Sequence, residues 1–203
     1  MQWERIDINL GCPFPMIAGK HKGAGMLLYP AQVAEVLAPI AEYPEIQFSL
    51  KMRLGWENAS ECMVLVELLN TLRLSRIALH ARTGKQQYKG HPDLEAFQGF
   101  YELCQHPLYY NGDIESLSDI RQILTRFPLL KGVFIGRGLL SSPLLAKEFK
   151  GNETFLPEQR MSIYFAFHEE LFSAYSQVLQ GETQLLVKMK TLWEYFLPET
   201  DRK

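Results

Sequence analysis

One of the three cysteines lies where an enzyme would present a thiol. Cys12 stands between Gly11 and Pro13, directly after Ile6-Asp7-Ile8-Asn9-Leu10, in which apolar and polar residues alternate. The alternation indicates a strand, and the glycine and proline indicate the turn that ends it. A thiol on that turn can be a nucleophile, a metal ligand or a proton donor, or it can pack as a small apolar side chain.

Two glycine-containing turns later in the chain have the composition of a phosphate site. Asn111-Gly112-Asp113 and Gly136-Arg137-Gly138 combine small residues with a guanidinium. Phosphates are held by backbone N–H groups and cations, and in (β/α) barrels the loops after the last strands commonly supply both. The two turns therefore predict a ligand that carries a phosphate.

Two other polar residues lie near the ends of predicted strands. Lys51 belongs to the strand predicted over 46–53, and His80 belongs to the one predicted over 76–82. In neighbouring parallel strands both side chains would point into the same space, where they could neutralise an electron-rich ring. The alternative is that each side chain pairs with a nearby carboxylate.

A regular alternation of strands and helices must position these residues. Strands are predicted over 6–10, 46–53, 76–82, 108–110 and 132–135, and helices over 30–40, 59–72, 92–105 and from Ser116 or Ser118 to Phe127. Each strand ends in glycine with a polar or charged neighbour, which is the pattern of parallel βα units. The polar strand ends then gather at one end of the sheet, where such folds keep their chemistry.

The chain changes character after about residue 150. Apolar and aromatic residues recur at helical spacing from Pro157 to Leu179 and again from Leu185 to Phe196, with Gly181 between the two runs. Two such helices joined by a short turn predict an antiparallel pair, whose aromatic residues serve packing rather than base stacking. His168 lies on the apolar face and is predicted to be packed. We expect a barrel portion over 1–150 and a helical portion over 151–203.

The composition is that of an ordinary soluble domain with a small appendage. The 203 residues carry a net charge of −2, with 47% hydrophobic and 22% charged residues. A nucleic acid would therefore have to bind to a local basic patch. The candidates are the basic loop Lys20-His21-Lys22-Gly23-Ala24-Gly25 and the pair Lys188 and Lys190. The alternative is that these residues are simply solvated surface.

The cysteines and the apolar runs exclude other classes of protein. Cys12, Cys62 and Cys104 show no metal-ligand spacing, and an odd, sparse set suggests a reducing compartment. The chain shows no signal peptide and no apolar run long enough to cross a membrane. We therefore expect a cytoplasmic protein without a metal site.

Seven motifs, in order, resemble those of the tRNA-dihydrouridine synthase family over about residues 5–150. The motifs are Ile6-Asp7-Ile8-Asn9-Leu10-Gly11-Cys12-Pro13, Gly23-Ala24-Gly25-Met26-Leu27-Leu28-Tyr29-Pro30, Leu50-Lys51-Met52-Arg53-Leu54-Gly55-Trp56, Leu79-His80-Ala81-Arg82-Thr83, Tyr88-Lys89-Gly90, Asn111-Gly112-Asp113-Ile114 and Ile135-Gly136-Arg137-Gly138. The C-terminal helices are similar to the family's helical tRNA-binding domain.

The resemblance implies an FMN-dependent reductase that uses NADPH and adds a hydride to C6 of a uridine in tRNA. It implies that Cys12 donates the proton to C5. A base inside folded RNA must be flipped out to reach such a pocket, and we expect the basic loop at Lys20–Lys22 to hold the RNA backbone. The resemblance also assigns roles to further positions. Asn9 and Arg82 match residues near the target base. The positions that match residues holding FMN are Lys51, His80, Asn111, Gly112, Asp113, Gly136 and Arg137.

The number of predicted strands departs from the family pattern. The family's barrel has eight strands and five are predicted here, so we expect a TIM-type (β/α) barrel that lacks its opening strands. Exposed strand edges would then favour self-association. Two other hypotheses stay open: a non-catalytic remnant that binds RNA or itself without flavin, and an FMN barrel reductase that acts on a small molecule.

Overall fold

The structure, a computed structural model, describes residues 3–196. The strands are β1 (Arg5–Leu10), β2 (Gln47–Gly55), β3 (Leu74–Thr83), β4 (Leu108–Asn111) and β5 (Gly132–Phe134). The helices are α1 (Pro15–Ala18), α2 (Pro30–Leu37), α3 (Pro39–Glu42), α4 (Glu61–Thr71), α5 (Leu94–Leu103), α6 (Leu117–Arg126), α7 (Arg137–Ser141), α8 (Leu145–Gly151), α9 (Pro157–Val178) and α10 (Glu182–Trp193), with a 3-10 helix over Gly23–Leu28.

The five strands form one parallel sheet in the order β1-β2-β3-β4-β5. The register places Asn9 opposite Lys51, Arg53 opposite His80, and His80 opposite Asn111. Helices connect the strands, as parallel pairing requires. The predicted α/β class, with five βα units of a partial barrel followed by C-terminal helices, is confirmed.

The two faces of the sheet differ in polarity because side chains alternate along each strand. In β2, Leu50 and Met52 are buried in the apolar core, which α4 and α5 help to build with residues such as Leu65 and Phe97. The intervening residues of β2 are Ser49, Lys51 and Arg53. The strand therefore presents an apolar face to the helices and a polar face on the other side.

A polar layer crosses the amino-terminal half of that second face. Ser49 donates a hydrogen bond to the carboxylate of Asp7, and Nη2 of Arg76 lies 3.9 Å from Oδ1 of Asp7. The guanidinium of Arg76 also lies 5.5 Å from the centre of the Phe134 ring. Asp7, Ser49 and Arg76 thus find their partners on other strands of the sheet.

Proline and capping residues set the ends of several helices. The helix predicted over 30–40 is interrupted, because α2 ends at Leu37 and Pro39 begins α3. Proline has no N–H to donate within a helix but fits its first turn. At α5, Asp93 accepts from the N–H of Ala96 at 2.9 Å, and before α6, Ser116 accepts from the N–H of Asp119 at 3.2 Å. The predicted cap at Ser116 is therefore confirmed.

The described residues form two compact units. The first comprises residues 3–112 and 121–134 and contains the sheet. The second comprises residues 113–120 and 135–196 and contains α7 to α10. The predicted division near residue 150 stays a prediction. None of the helices among residues 3–196 is both long and apolar enough to span a membrane.

The second unit has its own apolar core. Tyr164 of α9 and Met189 and Leu192 of α10 are buried in it, together with Leu144 and Phe196. The predicted helical pair is confirmed, although α10 begins at Glu182 and not at Leu185. The short helices α7 and α8 were not predicted, since five and seven residues are too few to show a helical period.

Within that unit, His168 is packed as predicted. Its ring centre lies 5.3 Å from that of Trp193, and Nε1–H of Trp193 donates to Nε2 of His168 at 3.3 Å. Lys188 and Lys190 are exposed, and the ammonium of Lys188 lies 5.6 Å from the centre of the Tyr175 ring. Of the aromatic residues, Tyr164 and Phe196 are buried in the core of this unit, whereas Phe165, Phe172 and Trp193 are exposed.

Candidate active site at the carboxyl ends of the strands

The turn that carries Cys12 is held from both sides. On one side, Oδ1 of Asn9 accepts from the N–H of Gly11 at 2.9 Å. On the other, the carbonyl of Cys12 accepts from the N–H of Ala24 at 2.9 Å. Gly23 has a φ of +56°, and a Cβ there would lie 2.7 Å from the Cys12 carbonyl oxygen, so only glycine fits. The result is a half-buried free thiol on a fixed backbone.

Lys51 lies beside this turn as a cation without an anionic partner. A Cβ added to Gly11 would lie 3.6 Å from Nζ of Lys51 and 3.4 Å from Oδ1 of Asn9, so both groups border the residue that precedes Cys12. Among the described residues Lys51 makes no ion pair within 4.0 Å, so the alternative of a carboxylate pair does not hold for it. Burial and then the nearby Arg53 lower the pKa of Lys51, while Asp7 raises it.

Arg53 is a buried guanidinium that ties three backbone segments together. Its Nε donates to the carbonyl of Gly11 at 3.0 Å, and its Nη1 donates to the carbonyls of Thr83 at 2.9 Å and Gln87 at 2.8 Å. The side chain is only 1% exposed, and burial lowers its pKa while Tyr88 raises it. Arg53 thus links the residue before Cys12 to the end of β3 and to the loop that follows.

Arg82, which is predicted to lie near the target base, bonds to the backbone of the loop that follows β3. It is also 1% exposed, and it donates to the carbonyls of Lys89 at 3.3 Å and Gly90 at 2.5 Å. In this structure Arg82 holds the loop over 84–90 in place. A contact with the target base stays a prediction.

The loop over 84–90 brings an aromatic ring to the site. Its start is attached to the end of β2, because the N–H of Gly84 donates to Gly55 and that of Lys85 donates to Trp56. Tyr88 is half exposed, with its ring centre 5.6 Å from the Arg53 guanidinium and 6.4 Å from the His80 ring. Arg53 and Tyr88 were missed as site residues, although both fall within motifs that the sequence had singled out.

His80 lies within β3, and Asn111 is the last residue of β4. His80 is buried and lies directly opposite Asn111, whose Nδ2 donates to the carbonyl of Phe134 at 2.8 Å. Gly112 follows with a φ of +149°, a region that favours glycine. The first unit thus places Lys51 and His80 in register with residues near the ends of β1 and β4, next to the Cys12 turn and Asn111.

The remaining predicted flavin residues belong to the second unit. There, Nη2 of Arg137 lies 3.1 Å from Oδ1 of Asp113, in a partly exposed ion pair. Gly136 directly precedes α7, and a Cβ on it would meet nothing within 4 Å. The unit therefore offers a guanidinium, a carboxylate and an open backbone. Among residues 3–196, no group of three His, Cys, Asp or Glu side chains is arranged to hold a metal ion.

Comparison with known proteins adds the family context. The model of the dihydrouridine synthase (Dus) family matches residues 1–198. A probable tRNA-dihydrouridine synthase of Aquifex aeolicus is 36% identical over 71% of this chain and 46% of its own length. One of Rhizobium leguminosarum is 32% identical over 68% and 44%, and tRNA-dihydrouridine synthase B of Vibrio vulnificus is 28% identical over 75% and 48%. The chain spans about half the length of the curated relatives it matches.

Proposed function

This chain belongs to the dihydrouridine synthase family, and from that premise we propose that it reduces uridine in tRNA to 5,6-dihydrouridine. The proposed cofactor is FMN, the proposed reductant is NADPH, and the proposed proton donor is Cys12. The relatives named above are tRNA-dihydrouridine synthases, which supports tRNA as the substrate class.

The unpartnered cation of Lys51 beside the Cys12 turn is the observation that carries this proposal. A half-buried ammonium costs free energy unless an anion or an electron-rich group offsets it. Within the described chain no carboxylate lies within 4.0 Å of it, so the site has room for a ligand that supplies the compensating group. An electron-rich flavin ring held next to a thiol meets that requirement.

In the first unit, the donor groups suit the ring of a flavin mononucleotide. Lys51 and His80 supply groups for the ring, and the amide of Asn111 lies at the end of the next strand. In the second unit, Arg137 can pair with a phosphate, the carboxylate of Asp113 can accept from ribityl hydroxyls, and Gly136 leaves room for close backbone approach. When bound, FMN supplies the hydride that C6 of the uridine receives and is reduced again by NADPH.

In the proposed reaction, the role of this chain's own residues is to deliver one proton to the uridine. Addition to the C5=C6 bond leaves C5 in need of a proton, and the Sγ–H of Cys12 can supply it. Asn9 and the bonds from Ala24 and Arg53 fix the backbone on both sides of that thiol. Such positioning is what general acid catalysis requires, since a misplaced acid loses most of its effect.

A flavin spectrum followed by an RNA assay tests the proposal. The purified chain is mixed with FMN and desalted, and its visible absorption is recorded. A retained flavin band, bleached by NADPH, with dihydrouridine formed in a tRNA transcript but not from free uridine, is the expected result. A colourless protein favours the non-catalytic alternative, and reduction of free uridine in preference to tRNA favours the small-molecule reductase.

A further inference from the structure

A surface of exposed aromatic, apolar and basic residues lies next to the Cys12 turn, and the proposed chemistry makes no use of it. Its members come from one segment and are called the 14–29 surface: Phe14, Met16, Lys20, His21, Lys22 and Tyr29. Phe14 is 63% exposed and Met16 is 82% exposed. Large apolar side chains exposed together with charged neighbours are typical of a binding surface.

An aromatic stack lies at the centre of this surface. The rings of His21 and Tyr29 are 4.3 Å apart at an interplanar angle of 26°, and both residues are exposed. His21 has a φ of +52°, an uncommon conformation for a residue with a side chain. Exposed stacked rings are the platforms on which unpaired bases of RNA stack.

The charge of the surface complements a phosphate backbone. Lys20 and Lys22 flank the stacked histidine, and neither makes an ion pair with any residue among 3–196. No acidic residue occurs in the sequence between Asp7 and Glu35. In a chain of net charge −2, this segment is therefore a local positive patch that can attract RNA.

The surface is also held rigidly against the candidate site. The N–H of Ala24, two residues after Lys22, donates to the carbonyl of Cys12 at 2.9 Å. The N–H of His21 donates to the carbonyl of Ala18 at 3.0 Å. A surface that is ordered before binding loses little conformational entropy when its ligand arrives.

We propose that the 14–29 surface binds an unpaired RNA strand adjacent to the uridine that enters the Cys12 site. Phosphates of that strand pair with Lys20 and Lys22, and one of its bases stacks on the His21–Tyr29 pair. The inference rests on the proposed function for the identity of the RNA. It adds that the strand next to the target must be unpaired, since a base inside a duplex presents no free face for stacking.

The phosphate contacts can be tested by the salt dependence of RNA binding. Binding of a fluorescent tRNA transcript to the full chain is measured by anisotropy over a series of salt concentrations. Each phosphate contact with a single strand contributes a slope of about 0.7, so the double variant Lys20→Gln/Lys22→Gln is expected to lower the slope of log affinity against log salt by about 1.4.

The matched control removes two cations at the other end of the strands. Arg73 and Lys131 are exposed, make no ion pair with a described residue, and precede β3 and β5. Arg73→Gln/Lys131→Gln changes the net charge equally and is expected to leave the slope as in the wild type. Circular dichroism and thermal unfolding confirm that both double variants are folded.

The stacking contact is tested by a second pair of variants. Tyr29→Leu keeps an apolar side chain but removes the ring, and it is expected to weaken tRNA binding about tenfold. Tyr43→Leu removes an exposed tyrosine that precedes β2 and is expected to bind as the wild type does. A single-stranded oligouridylate is expected to show the same loss with Tyr29→Leu, while a blunt RNA duplex is expected to show none.

The results separate this inference from the proposed function. Unchanged affinity and salt slope in Lys20→Gln/Lys22→Gln, with tRNA still reduced, would overturn the inference alone. A lowered slope in that variant, with no dihydrouridine formed by the wild-type chain, would support the inference and contradict the function. Wild-type self-association that Tyr29→Leu abolishes, with RNA binding unaffected, would make the surface a protein interface and overturn the inference.

Discussion

At the scale of single residues, several polar groups of the candidate site bind backbone and so hold the reactive groups in place. Asn9 and Arg53 each hold the backbone around Gly11, and Asn111 holds Phe134. The thiol of Cys12 and the ammonium of Lys51 lie next to these anchors. The chemistry therefore depends on two groups whose surroundings are fixed by other polar residues.

Replacing the thiol should separate cofactor binding from proton transfer. Cys12→Ala is expected to retain FMN and lose about 10²- to 10⁴-fold in the rate of tRNA reduction, the range that a positioned general acid contributes. The measurement is dihydrouridine formed per enzyme under single-turnover conditions. Cys104→Ala, which removes another partly buried thiol, is the matched control. A near-normal rate for Cys12→Ala would show that Cys12 is not the proton donor.

Removing the Lys51 cation should stabilise the ligand-free chain while abolishing flavin binding. The pKa of Lys51 is lowered below its ordinary value of 10.5 by burial, so the folded chain gives up this proton at a lower pH than the unfolded chain does. The unfolding free energy of the wild type therefore carries a penalty from Lys51 at neutral pH, and this penalty is relieved as the pH rises through the folded pKa towards 10.5.

Lys51→Met is thus expected to be more stable than the wild type at neutral pH, with the difference shrinking as the solution becomes alkaline. Denaturant unfolding at a series of pH values measures this difference. A variant that is less stable than the wild type throughout would show that Lys51 has a partner within the folded chain. Lys131→Met, at an exposed cation that precedes β5, makes the same change of net charge and is the control.

At the scale of elements, the site is assembled by loops that are bonded to one another. The loop over 84–90 is attached to β2 through Gly84 and Lys85, and to the turn before Cys12 through Arg53. Because one guanidinium joins these segments, its geometry matters more than its charge. The turn and the loop therefore form one structural assembly.

Arg53→Lys should loosen this assembly although it keeps the charge. An ammonium cannot reach three carbonyls in the directions of the guanidinium fork, so we expect a loss of about 2–4 kcal/mol in unfolding free energy. Alkylation of Cys12 by iodoacetamide is expected to change in rate as its turn becomes mobile. Cys62 contributes little to that reaction, because burial raises its pKa to about 12. An unchanged alkylation rate and unfolding free energy would contradict the linking role.

Helix α5 offers a test of a purely structural element. Asp93→Ala removes the cap that accepts from the N–H of Ala96 and is expected to cost about 1 kcal/mol of unfolding free energy. Glu67→Ala, within a helix and without a hydrogen bond to a described residue, is expected to change stability by only a few tenths of that amount. Equal effects in the two variants would mean that the cap contributes nothing specific.

At the scale of the whole chain, the parallel sheet could be predicted from the sequence, but the side-chain hydrogen bonds that link its loops could not. The strands were predictable because alternation and terminal glycines are local patterns, and the matching order of polar strand ends located Lys51, His80 and Asn111. The partners of Arg53 lie 30 to 42 residues away and are backbone carbonyls. Every residue has a carbonyl, so the residue types do not show which one Arg53 will bind. The partners of Arg82 lie only seven and eight residues along the chain, but they too are backbone carbonyls.

The edge of the sheet at β1 gives a prediction for the assembly as a whole. Among the described residues β1 pairs only with β2, so the other edge of β1 presents unpaired backbone groups. Such an edge favours association with another strand. We expect the apparent mass of the purified chain in sedimentation velocity to rise with protein concentration, and a constant monomer mass would contradict this.

The hydrogen bond from Ala24 to the carbonyl of Cys12 has a consequence for how the thiol turn can be observed. An amide bonded in this way exchanges its hydrogen for deuterium only when the turn opens. The exchange rate of the Ala24 amide therefore reports how often the turn opens, and it can be measured without flavin, tRNA or turnover. A ligand or a neighbouring chain that slows this exchange stabilises the closed form of the turn that carries the thiol.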